Sequence, residues 1–317
     1  MIEILEKGFL TLPVTSKRHA FASLGVPAGG PMDSFRYDLA NALVGNSADA
    51  PALEATLILP GIRFTDRRAF SVVGGVKGIT LLHNGEKRLL PAGETLFAEP
   101  GDEILSVPLE CGMRAYLAIS GGLRIEALRP KPVMKGDRLT LQPGDLPVPR
   151  SLRGLSLPMP TGEAVLRVVE GVQYDHFSED GIRAFYNSEY LYTPQSDRMG
   201  IRLSGEAVSF ASGHDGNILS EGILMGDIQI PSSGQPILLM ADCQTVGGYA
   251  KIAHVITADL TVAAQLRPGS KIRFRRVDVY EAQALLHRKV REIRECIREN
   301  GLHTPLYFST RRDYPGQ

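Results

Sequence analysis

At 317 residues, 43% hydrophobic and 22% charged, the chain has an ordinary globular composition and enough length for about two domains with buried cores. Its 35 Lys and Arg balance its 35 Asp and Glu, which argues against a nucleic-acid or anionic-membrane surface and leaves any charged metabolite to be held by local groups. No apolar run approaches membrane-spanning length, and the opening MIEILEKGFLTLPVT shows no basic segment ahead of a long apolar one, so a cytoplasmic protein is expected.

The first lobe, taken as residues 1–155, opens with a short strand-like segment and a loop bearing Lys17, Arg18 and His19. After the turn-rich GVPAGGPMD, Asp33 is placed to N-cap a helix whose apolar positions Phe35, Leu39, Ala42 and Leu43 share a face, with Gly45 as its stop. The simplest role of that helix is to pack on a sheet. The Gly and Pro spacing before it also allows backbone amides to meet an anion, although no phosphate-loop motif is present. From Leu57 to Gly122 the text reads as short strands divided by turns, with Asn84-Gly85 marking a type I′ hairpin and His83 expected as a hairpin residue. Many short strands with regular punctuation imply a barrel or a sandwich.

The Pro-rich passage from Leu146 to Pro160 sets the expected boundary, because prolines interrupt both helix and sheet pairing. A second lobe, 156–280, then begins with a strand, VLRVVEG, and a helix around Asp180 to Asn187, and a strand near Lys271 to Phe274 closes it. In the last segment, 281–317, a helix is expected to run to about Asn300, its capping box formed by Asp278 and Glu281. Ala282, Leu286, Val290, Ile293 and Ile297 form its apolar stripe, Gly301 its stop, and Arg288, Arg291, Arg294 and Arg298 lie off the stripe. Cys111, Cys243 and Cys296 are far apart and give no paired metal-ligand spacing, so buried free thiols are expected and no metal site is assigned.

The stretch from Asp215 to Leu260 concentrates the potential chemistry. Ile228–Ile230 and Pro236–Ala241 read as strands, the second too continuously apolar for one wet face, joined across Ser232-Ser233-Gly234. Beyond Ala241 the text breaks into Asp242, Gln244, Thr245, Gly247 and Gly248 before Tyr249 and Lys251. A carboxylate, an amide, a hydroxyl and a lysine thus surround an expected Gly-Gly turn at the mouth of buried strands. Singly, residues such as Asp242 and Gln244 serve to satisfy turn backbone groups; together they read as a site. Asp242 and Lys251 are expected to face one cavity with Glu221, Arg198 and Gln244.

Several motifs in one order carry a resemblance. PQSDRMG (194–200), LSEG (219–222), G-x-I-Q-I-P (226–231), GQPI (234–237) and D-x-Q-T-x-G-G-Y-x-K-I-A (242–253) stand in the second lobe. LGVPAGGPMD (24–33), LAN-x-LVGN (39–46), ALE-x-T (52–56) and AYLAISGG (115–122) stand in the first. With these the chain resembles the C-subunit family of ATP-hydrolysing 5-oxoprolinase, also called allophanate hydrolase subunit 2, and the related carboxyltransferase domain of urea carboxylase. It differs from the family pattern in lacking a Ser- and Gly-rich loop after Gly122 and in reading Tyr249-Ala250-Lys251 where Tyr-Pro-Lys is usual.

The resemblance implies a mainly β, β-rich α+β protein: a cyclophilin-like barrel in the second lobe, a companion β-rich lobe in the first and a long C-terminal helix. It implies ATP-dependent opening of 5-oxoproline to glutamate, with ATP and magnesium as cofactors. Its partners would be B-subunit-like and A-subunit-like proteins, the chain being inactive or weak alone. Residue chemistry assigns catalysis to Asp242, Glu221 and Lys251. Substrate and nucleotide binding fall to Arg198, Ser196, Gln229, Gln235, Gln244, Thr245, Gly247, Gly248 and Tyr249. Two other readings accompany it. A biotin-dependent carboxyltransferase component would need biotin on another chain, because Met134-Lys135 is followed by Gly136. A non-enzymatic regulatory partner of a B-subunit-like protein would need no chemistry at all.

Overall fold

The computed structural model describes residues 1–16, 23–125, 131–152, 155 and 157–299; the basic loop at Lys17, Arg18 and His19 and the tail from Gly301 lie outside the described residues. Backbone contacts divide the chain into two units, each discontinuous in sequence. The first holds Met1–Ser16, Asp33–Leu157 and Val290–Gln317; the second holds Lys17–Met32 and Pro158–Lys289. These units differ from three contiguous segments because Met32 belongs to the apolar core of the second unit, and because the C-terminal helix is divided between the two.

The first unit runs β1 (Ile2–Glu6), β2 (Leu10–Val14), α1 (Ser34–Leu43), β3 (Ala52–Thr56), β4 (Gly61–Phe64), β5 (Arg68–Gly74), β6 (Ile79–His83), β7 (Glu86–Leu90), β8 (Leu96–Ala98), β9 (Glu103–Ile104), β10 (Arg114–Ile119) and β11 (Arg138–Leu139). The strands form a six-stranded sheet, β11-β1-β4-β9-β6-β7, and a five-stranded sheet, β2-β3-β10-β5-β8. One apolar cluster draws Ile4, Ile62 and Ile104 from the first sheet and Leu53, Val72 and Leu117 from the second, so the core lies between two packed sheets. Asn84 and Gly85 take φ of 50° and 86°, the left-handed pair that a type I′ turn requires, and β6 pairs with β7 across them.

Helix α1 is capped by the Asp33 side chain, which accepts from the Arg36 N–H, and ends where Gly45 turns to φ +72°. In place of the expected single apolar face, every residue from Phe35 to Leu43 is buried. The polar members are accommodated by partners: the Arg36 guanidinium pairs with Asp33, and the Asn41 side-chain amide donates to the Ala50 carbonyl.

The second unit runs β12 (Glu163–Glu170), α2 (Glu179–Asn187), β13 (Tyr190–Tyr192), β14 (Gly200–Ser204), β15 (Asn217–Gly222), β16 (Asp227–Ile230), β17 (Ile237–Leu239), β18 (Val246–Val255), α3 (Thr257–Ala263), β19 (Lys271–Arg276) and the part of α4 (Val279–Glu299) up to Lys289. Strands β12-β19-β13-β14-β17-β16-β18 follow one another in the sheet, and a β12–β18 pairing closes them into a barrel, with β15 added on β18. This is the closed barrel that the family resemblance implied. Its interior is filled by Leu166, Ile201, Ile228, Leu238, Ile252 and their neighbours. Helix α2 joins that core through Phe185, stacked on Phe274 of β19 at 4.6 Å.

Gly247 and Gly248 lie inside β18, correcting the expected turn. The physical reason is pairing: Gly247 stands opposite Glu221 and Val246 opposite Gly222 in the ladder with β15, and neither Gly247 nor Gly248 takes the positive φ that a tight turn would use. Helix α4 starts as its capping residues predict, the Glu281 N–H donating to Asp278 at 2.7 Å. Ile293, Cys296 and Ile297 are buried along it, while Arg288, Arg291, Arg294 and Arg298 are exposed. None of the described helices is long and apolar enough to cross a membrane.

Candidate functional site

A β-bulge at the middle of β18 organises the site. Between β16 and β18 the register passes from Ile228 opposite Ala253 to Gln229 opposite Lys251, leaving Ile252 as the extra residue on β18. The end of β12 clamps this irregularity, with the Gly171 N–H donating to the Ile252 carbonyl at 2.9 Å and the Gln173 N–H to the Lys251 carbonyl at 3.3 Å. A Cβ on Gly171 would lie 2.2 Å from the Lys251 carbonyl oxygen, so only glycine permits the approach. The bulge sets Gln229 and Lys251 opposite each other across the ladder.

Lys251 is 3% exposed, and its ammonium is paired with the half-exposed Glu221 carboxylate of β15. Gln173 completes the group: its amide donates to Glu221 at 2.8 Å and its side-chain oxygen accepts from the Lys251 backbone N–H at 3.2 Å. The Lys251 and Gln173 hydrogen bonds hold the Glu221 carboxyl below the usual glutamate range, so it stays ionised at neutral pH and is a weak base. Glu221 also faces Gly247 in the β15–β18 register, and the ring of His176 stacks on that of His214 at 3.9 Å between centroids.

The second group is built on Asp242. Arg198 Nε and Nη2 donate to its two carboxylate oxygens at 2.7 and 3.1 Å, and Nη2 also donates to the Gly30 carbonyl at 2.7 Å. The guanidinium is 8% exposed, whereas Asp242 keeps more than a third of its side chain open. A bidentate fork of this kind fixes the carboxylate's plane and its charge.

The remaining expected residues divide by what they touch. Ser196 accepts from the Arg202 N–H and donates to the Thr193 carbonyl, and Gln235 exchanges two hydrogen bonds with the Gly205 backbone, so both pin turns. Gln244 and Tyr249 are exposed, and the Thr245 carbonyl accepts from the Ile223 N–H. Cys243 packs with Ile223 and Leu239, and burial pushes its thiol up to about 11, which makes it a poor nucleophile. Sequence reasoning missed Gln173, His176 and His214. For Gln173 the available signal was the polar text GVQYDH directly after an apolar strand. Among the described residues no group of three or more His, Cys, Asp and Glu is placed to hold a metal ion.

A barrel with a bulged strand that carries a buried lysine, together with a two-sheet companion unit, defines the class. The chain belongs to the family described as carboxyltransferase domain, subdomain A and B, which it matches over residues 24–276. It is 32% identical over 299 residues to the C subunit of 5-oxoprolinase from Escherichia coli, an alignment covering 89% of this chain and 93% of that protein. It is 31% identical to the C subunit of 5-oxoprolinase from Haemophilus influenzae, covering 91% and 95%. Among solved structures, the urea carboxylase of Kluyveromyces lactis superposes with a TM-score of 0.83 at 27% identity, over 97% of this chain and 30% of that one. This chain therefore spans less than a third of the urea carboxylase chain.

Proposed function

We propose that this chain is the C subunit of a 5-oxoprolinase, an ATP-dependent hydrolase that opens the lactam ring of 5-oxoproline to glutamate in a complex with A-subunit-like and B-subunit-like proteins. The near full-length similarity to two bacterial proteins of that name supports the reading. The observation that carries it is the buried Lys251 ammonium on the bulged strand, paired with the Glu221 carboxylate that Gln173 also holds.

A lactam carbonyl is a poor electrophile, and ATP supplies the activation of its oxygen when bound. The residues of this chain orient the ring: Lys251 offers a donor to a carbonyl oxygen, and Glu221 and Gln173 hold the lysine in place. To Asp242, open to solvent and fixed by Arg198, we assign the orientation of the attacking water. Both buried cations, Arg198 and Lys251, already carry a carboxylate partner. That charge balance suits a small amide better than a triphosphate, so we assign the amide to this chain and the nucleotide phosphates, with their magnesium, to a partner protein.

The test is reconstitution. The purified chain is assayed with ATP and 5-oxoproline, alone and with its A-type and B-type counterparts, and glutamate is measured. Glutamate is expected only from the assembled proteins. Substantial turnover by the chain alone, or none by any combination, overturns the proposal. The likeness to urea carboxylase favours one competing reading, a carboxyltransferase acting on biotin carried by another chain. Carboxyl transfer from a carboxybiotinyl partner in the absence of the A-type counterpart would decide for it.

A further inference from the structure

Two of the motifs that carry the family resemblance, ending in LVGN at 43–46 and in SGG at 120–122, take no part in the barrel site. Within the first unit they meet at a cavity of about 430 Å³. Val44, Gly45 and Asn46 at the end of α1, Gly121 after β10, and Asp145 and Arg150 beyond β11 line it. Small-molecule pockets run to roughly 300–1,000 Å³, so the space suits a metabolite.

The walls are tied together. The buried Asn46 amide donates to the Asn41 side chain and to the Ile119 carbonyl, both at 2.9 Å, and its oxygen accepts from the Gly121 N–H at 2.8 Å. Thr95 joins Arg150 to the helix: its hydroxyl donates to the Leu43 carbonyl at 2.6 Å and accepts from the Arg150 N–H at 3.1 Å, and its own N–H donates to the Arg150 carbonyl at 2.8 Å. A Cβ on Gly144 would stand 2.3 Å from the Gly121 nitrogen, so the backbone beside Asp145 lies directly on the Gly121 turn. These contacts fix the walls but engage neither charged side chain. Among the described residues the Asp145 carboxylate and the Arg150 guanidinium have no hydrogen-bond or ion-pair partner, and they do not pair with each other although both line the one cavity.

Opposite charges left unpaired around one cavity select the ligand. A simple anion on Arg150 is opposed by Asp145, and a simple cation on Asp145 is opposed by Arg150; a molecule carrying both charges satisfies both. We propose that this cavity binds a small zwitterion, an α-amino acid, with its carboxylate on the Arg150 guanidinium and its ammonium on the Asp145 carboxylate. The site shares no residue with the Lys251–Glu221 group and does not rest on the proposed reaction.

Three probes dissect the charges by ligand-observed NMR titration of the full chain. L-Alanine carries both, N-acetyl-L-alanine keeps only the carboxylate, and L-alaninamide keeps only the ammonium. L-Alanine is expected to bind in the roughly millimolar range that two solvent-screened charge contacts support, and the other two at least about fivefold more weakly. Asp145→Asn and Arg150→Gln are each expected to weaken L-alanine binding at least about fivefold. Because neither side chain has a partner within the described chain to lose, both variants should keep the melting temperature of the unaltered protein.

Equal affinity for L-alanine and either single-charge probe overturns the proposal, as does undiminished L-alanine binding in either variant. Absence of saturable L-alanine binding up to about 50 mM overturns it too. A lowered melting temperature in either variant assigns that side chain to the fold instead of to a ligand, and has the same consequence.

Discussion

Lys251 is an electrostatic liability in the barrel, since its ammonium is buried and its counter-charge, Glu221, is half exposed. Removing that counter-charge leaves an uncompensated cation, for which a cost of about 2 kcal/mol is expected after allowing for the exposure of Glu221. Glu221→Gln should therefore melt below the unaltered chain at pH 7. The depressed carboxyl fixes the sign with pH: the pair contributes fully above the unfolded glutamate range and is lost as pH falls through the lower folded value. The gap between the two proteins should narrow as pH falls below the unfolded glutamate range and through the lower folded value, and a gap that persists in acid would show that Glu221 acts by packing. At this scale Glu221, Gln229 and Lys251 were legible in the sequence because polar residues interrupted strand-like apolar text. Gln173 was not, because it reaches Lys251 only through barrel closure, across 78 residues of chain. The position of Asp242 after an apolar run was legible as well, and so was its grouping with Arg198, 44 residues away; that the two form a direct fork was not.

Among the elements, α4 tests whether an apolar stripe read from spacing is a buried one. Ile293 is 2% exposed, so Ile293→Asp forces a carboxylate into an apolar place and should lower stability by at least about 3 kcal/mol. Arg291→Ala, on the exposed face, should change it by less than about 0.5 kcal/mol. Chemical denaturation of the two variants side by side reads the difference, and equal midpoints would reject the burial. The β12–β18 clamp makes a second test. In Gly171→Ala the new methyl meets the Lys251 carbonyl oxygen, which is backbone and cannot rotate away. The clamp must open, costing about 1–3 kcal/mol and displacing the bulge that aims Lys251 and Gln229. The melting temperature of this variant should therefore fall below that of the unaltered chain. Helix α4 was legible because caps and stripe are local signals. The β18 bulge was not, because it exists only in the register between strands, and the same glycines that hold the strand straight read as a turn in isolation.

For the whole molecule, sequence punctuation placed a boundary in the Pro-rich passage, but composition gives no sign that the described residues 23–32 are committed to the second unit. The commitment is made by tertiary partners: Met32 is 1% exposed within the barrel's apolar cluster, and the Gly30 carbonyl accepts from Arg198, the residue that fixes Asp242. A fragment beginning at Pro158 and ending at Lys289 would contain every strand of the barrel and still lack both. It would leave an empty place in the core where the Met32 side chain packs and a buried guanidinium short of one acceptor, a combined loss of about 3–5 kcal/mol. The same loss can be sampled in the intact chain with Met32→Ala, expected to cost about 2–4 kcal/mol. Urea unfolding followed by tyrosine fluorescence would compare the 158–289 fragment with the fragment supplemented by a peptide spanning residues 17–32. The fragment alone is expected to unfold at lower urea, and the peptide to restore part of the difference. A fragment as stable without the peptide as with it would show that the barrel completes its core from its own strands, and that the segment before α1 only rests on it.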